Sequence, residues 1–89
     1  MQFYVSLGEL VIYFDGNVMQ TLEKYVGDER FSYAYWYSKE GWVVVDKPSA
    51  AKLLKSGCCT ALVYDAPPTY PTAHVKTTVT ITRKELKWR

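Results

Sequence analysis

The sequence predicts an α+β fold: a mainly antiparallel sheet with two short helices on one face, in ferredoxin-like ββαββαββ order. Two observations carry that expectation. A pattern of hairpin, aspartate, short helix and glycine occurs twice, first up to Gly27 and again from Phe31 to Gly57. A third pair of β-prone runs follows with no helix between them, and the last run alternates Val75, Thr77, Val79 and Ile81 with Lys76, Thr78, Thr80 and Thr82. That period of two belongs to a strand with one wet side.

Taken in order, Phe3–Val5 and Leu10–Phe14 are short β-prone runs joined by Ser6-Leu7-Gly8-Glu9, where Gly8 supplies the positive φ of a tight hairpin. Asp15-Gly16-Asn17 offers a turn and a helix cap. Val18, Met19, Leu22, Tyr25 and Val26 then recur at helical spacing until Gly27. In the second unit Phe31–Tyr37 turns through Ser38-Lys39-Glu40-Gly41 into Trp42–Val45, and Asp46-Lys47-Pro48 opens a helix through Leu54 that stops at Gly57. Cys59–Asp65 and Val75–Thr82 complete the strands, separated by a loop stiffened by Pro67, Pro68 and Pro71. From Leu10 to Asp65 the order is βαββαβ, the ferredoxin-like arrangement, with extra strands at both ends.

With 89 residues, 48% hydrophobic and 22% charged, the expectation is a single domain over residues 1–89 that buries its own core. No apolar run approaches the ~20 residues of a membrane helix, and Met1-Gln2-Phe3-Tyr4 does not open like a signal peptide, so a cytoplasmic protein without a membrane partner is expected. The net charge of +2 hides an asymmetry: acidic groups predominate up to Asp46 and basic groups after it.

The cysteines, Cys58 and Cys59, are neighbours, which disfavours a relaxed disulfide between them and predicts free thiols. With His74 they fall short of the four ligands of a structural zinc site, so no metal is expected. Cysteine–histidine catalysis is disfavoured too, because adjacent strand residues point to opposite faces. Asp15 and Asp46 are explained as helix caps, and the chain has no glycine-rich phosphate loop or nucleophile elbow. Neither a cofactor nor an enzymatic activity is expected.

The binding candidates are aromatic and basic. Alternation places Phe31, Tyr33, Tyr35 and Tyr37 on one side of their strand, with Trp42 and Val44 opposite Tyr37 and Tyr35 on the next. Ala34, Trp36, Val43 and Val45 fill the other side and suit the approach of a helix, so the tyrosines are expected on the helix-free face. Such a stripe fits a protein partner or stacked single-stranded nucleic acid, or else it is covered by a second layer, a second copy or the core itself. The basic candidates are Lys76 and the C-terminal Arg83, Lys84 and Lys87, with Trp88, read either as a contact arm or as a frayed terminus that blunts an edge strand.

Lys39-Glu40-Gly41-Trp42-Val43-Val44-Val45-Asp46 with the proline-started helix after it resembles the third strand and second helix of an RNA recognition motif, and Val11-Ile12-Tyr13-Phe14 is a looser likeness to its first strand. That family places two aromatics in the third strand, where this chain has Trp42 and Val44. The resemblance implies topology, which serves many unrelated functions, and no family is assigned from it. The leading expectation is a small binding protein, an inhibitor or adaptor of the kind viruses and mobile elements encode, acting on a protein partner. The alternatives are a single-stranded nucleic-acid binder and an assembly subunit that forms a homodimer through the aromatic face.

Overall fold

A computed structural model describes residues 1–86. Six strands and two helices follow the expected element order: β1 (Gln2–Leu7), β2 (Leu10–Asp15), α1 (Val18–Tyr25), β3 (Phe31–Ser38), β4 (Gly41–Asp46), α2 (Lys47–Ser56), β5 (Cys58–Tyr64) and β6 (Val75–Thr82), then a 3-10 turn over Arg83–Leu86. The boundaries are set by local chemistry. Gly8 has φ +65 at the first hairpin. Asn17 and Asp46 accept hydrogen bonds from the backbone of Gln20 and Ser49 at 3.1 and 2.9 Å, capping α1 and α2. Pro48 stands in the first turn of α2, where a missing N–H leaves no bond unmade, and Gly57 closes the helix in the left-handed conformation.

The strands form one sheet in the order β2-β1-β3-β4-β5-β6, with every neighbouring pair antiparallel. This is where the ferredoxin-like expectation gives way. A ferredoxin-like sheet interleaves its two βαβ halves, so that each helix connects parallel strands. Here α1 does bridge the parallel strands β2 and β3 across β1, but α2 joins β4 to its antiparallel neighbour β5. The second half of the sheet is therefore a meander. Tight turns and a short α2 favour it, because sequential strands pair before distant ones can.

Both helices pack on one side of the sheet. Val18 and Leu22 of α1 and Ala50 and Leu53 of α2 bury against Phe3, Val5, Ala34, Trp36, Val43 and Val45, and against Ala61 and Val63 on β5. Ala34, Trp36, Val43 and Val45 thus stand on the helix side, as their alternation with the tyrosines predicts. Gly41 cannot be replaced freely: its φ is +132, and a Cβ there would lie 2.8 Å from the carbonyl oxygen of Tyr64.

Candidate functional site: the helix-free face

Register places Tyr4 opposite Tyr13 and Tyr35, Tyr35 opposite Val44, and Tyr37 opposite Trp42, which faces Tyr64 in turn. The rings form a continuous belt across four strands. Tyr13 meets Tyr4 at 5.5 Å between ring centroids, Tyr4 stacks on Tyr35 at 5.1 Å, and Tyr35 reaches Trp42 at 6.0 Å. Tyr33 lies 5.8 Å from Tyr35, and Tyr37 meets Trp42 edge-on at 5.1 Å. These separations are those of favourable aromatic pairs. The contributions of Tyr4, Tyr13 and Tyr64 escape a reading confined to β3 and β4; the period of two in β1 and β2 would have found the first two once the hairpin register was assumed.

The belt is not uniformly exposed. Tyr35 is 4% exposed and Val44 is also buried, although neither belongs to the helix-side core. Over Tyr35 lies the loop between β5 and β6. Its base is closed by Asp65, whose N–H donates to the carbonyl of His74 and whose carboxylate accepts from the His74 N–H. Turns at Pro67–Tyr70 and Tyr70–Ala73 fold it back, leaving Ala66, Pro67 and Pro68 half-buried. Thr69 lies beside the Tyr35 phenol; burial pushes that phenol's pKa up and the Thr69 side chain opposes the push. The loop that reads in sequence as a stiff connector is therefore a partial lid. Tyr37, 67% exposed, and Tyr13, 48% exposed, remain at either end of the belt with Val11 and Leu62.

Three sequence assignments are corrected. Phe31 does not share the face of the tyrosines: the β1–β3 register shifts between Ser6 and Leu7, so Phe31 pairs with Leu7 and turns into the core. A bulge of one residue reverses the parity of everything beyond it. Tyr35, expected as an exposed contact, is the covered floor of the belt. Arg83 is not free to form an arm: its N–H donates to the carbonyl of Gly57 at 2.8 Å and its guanidinium to that of Leu54, tying it to the end of α2. As far as Leu86 the terminus is not frayed either, since Leu86 is buried.

Of the remaining basic candidates, Lys76 sits at the β5–β6 register shift with its ammonium on the Glu40 carbonyl at 3.1 Å, and Lys84 is exposed. Lys87 and Trp88 lie outside the described residues. Lys76 has its stem beside Gly41 on the helix side, and the described strand positions on the belt's face hold no lysine or arginine, whereas Asp15 and Asp46 stand at strand ends on that side.

Cys58 is exposed and Cys59 buried, both free, and burial raises the pKa of the Cys59 thiol. They lie at the end of β5 away from Asp65 and His74. Among the described residues no three His, Cys, Asp or Glu side chains gather as metal ligands, and no helix is long and apolar enough to cross a membrane. On the helix side, a cleft of about 310 Å³ runs over Trp36, Val43, Val79, Ile81 and Leu86, with Glu40 and Glu85 among its lining residues. Compared with family models, with curated proteins and with solved structures, the chain matches none.

Proposed function

We propose that this chain is a small non-catalytic binding protein that engages a protein partner through the two exposed ends of its aromatic belt. The observation that supports this most is the belt itself: a run of contacting rings with exposed Tyr13 and Tyr37 at its ends and no lysine or arginine at the described strand positions of its face. Tyrosine supplies a large amphipathic contact area at low conformational cost, which is why it recurs at interface hot spots. Single-stranded nucleic acid is the less favoured ligand, because stacking platforms work beside cations that neutralise phosphates. The biological role we attach to this reading is an inhibitor or adaptor in the cytoplasm, of the type that viral anti-CRISPR proteins exemplify.

The test sets Tyr37→Ala and Tyr13→Ala beside the unaltered chain in affinity capture from the native host, with a fluorescent oligonucleotide titrated at several salt concentrations. A protein retained by the unaltered chain and lost with either variant supports the proposal. Tight oligonucleotide binding that falls steeply with salt, with no protein retained, would replace it with the nucleic-acid reading.

A further inference from the structure

The sheet has two open edges, and β6 forms the longer one. Natural edge strands are guarded by charges, prolines, bulges or a covering element, because unpaired N–H and C=O groups recruit another strand. From Thr77 to Ile81 β6 has none of the first three, while at Thr82 the Glu85 carboxylate takes the N–H and the hydroxyl. The stretch carries no charge and no proline, and the register shift lies before Thr77. Its one lysine, Lys76, sits at that shift and spends its ammonium on the Glu40 carbonyl. Thr77, Thr78 and Thr80 are exposed, and every residue from Thr77 to Thr82 is β-branched, the type that best suits a pleated strand.

We infer that β6 is a self-association edge, pairing antiparallel with β6 of a second copy about a two-fold axis normal to the sheet. That axis keeps each face with its own kind, so a residue can stand opposite only a residue of the same parity. On the belt's side Thr78 and Thr80 then meet Thr78 and Thr80 of the other copy, and threonine pairs across strands are favourable. On the helix side Thr77, Val79 and Ile81 meet one another. No pairing within this stretch brings like charges together, which is what admits an identical strand as the partner. The contact is strand-only and smaller than a standard interface of ~1,600 Å², so the dimer forms in a concentration-dependent way. This edge is separate from the aromatic belt and leaves Tyr13 and Tyr37 available.

The test uses two charged pairs of substitutions at exposed sites, Thr78→Lys with Thr80→Lys and Thr78→Glu with Thr80→Glu. The unaltered chain should pass from monomer to dimer in sedimentation equilibrium between micromolar and millimolar concentration, each charged variant should stay monomeric, and their equimolar mixture should dimerise again. Circular dichroism reports whether the variants fold. Should they not, hydrogen exchange of the unaltered chain decides: β6 amides that gain protection at high concentration support the edge, and unchanged protection overturns it. A monomer at every concentration, a dimer indifferent to both substitutions, or a mixture that stays monomeric would each overturn the inference.

Discussion

Tyr35 stacks on Tyr4 at 5.1 Å across the β1–β3 pair, and Thr69 closes over it from a loop that starts two strands away. The most central ring of the belt is thereby a packing residue and its outer neighbour Tyr37 a surface one. Tyr35→Ala should therefore cost about 3–5 kcal/mol in urea unfolding, the range for a large aromatic lost from a buried site. Tyr37→Ala should change stability by no more than about 0.5 kcal/mol while weakening partner binding by about 1–3 kcal/mol. Equal effects on stability at the two positions would mean that the loop does not cover Tyr35 in solution.

Val43 and Ala34 lie against the helices, where a charge finds no partner. Val43→Lys or Ala34→Asp should destabilise the fold by roughly 3–5 kcal/mol, the cost of an uncompensated buried ion. A normal melting transition for either variant would contradict the assignment of the helix side.

The chain end supplies core as well as charge. Glu85 accepts from the Thr82 N–H at 2.9 Å and its hydroxyl at 3.0 Å, shaping the 3-10 turn that delivers Leu86 to α1 and β6. Leu86→Ala should cost about 2–5 kcal/mol, and truncation after Thr82 should destabilise at least as much. Lys84→Ala should be neutral within about 0.5 kcal/mol. Denaturation curves of the three separate core from charge.

The two thiols should differ sharply. Iodoacetamide at neutral pH should give one adduct, on Cys58, because Cys59 is both covered and held as the neutral thiol by burial. Replacing both by alanine should leave partner binding intact. Equal labelling of the two in the folded chain would refute the burial of Cys59.

Asp28 carries the clearest acid-range signal. Two hydrogen bonds from the Arg30 guanidinium and one from its backbone N–H hold the carboxyl at about 2. Since the folded value lies below the unfolded one of about 3.9, its stabilising contribution is complete above that value and disappears as pH falls through about 2. Arg30→Ala should return the carboxyl toward its ordinary range in an NMR titration of the Asp28 side chain.

Local chemistry alone determined much of this protein. Gly8, Asn17, Asp46, Pro48 and Gly57 act through the turns and caps they occupy themselves, so the element order was legible without knowing what packs on what. The period of two in Tyr33, Tyr35 and Tyr37 likewise specified a shared face, and the volumes of Ala34 and Val43 specified which side a helix approaches. What only the tertiary structure decided depends on contacts between distant segments. The placing of β5 beside β4, the bulge that turns Phe31 inward, the fold-back of Thr69 onto Tyr35 and the tether of Arg83 to Leu54 are all long-range choices. A strand's own sequence sets which residues share a side, but not which neighbour it pairs with or what lies on top, because those energies belong to surfaces the strand does not itself contain.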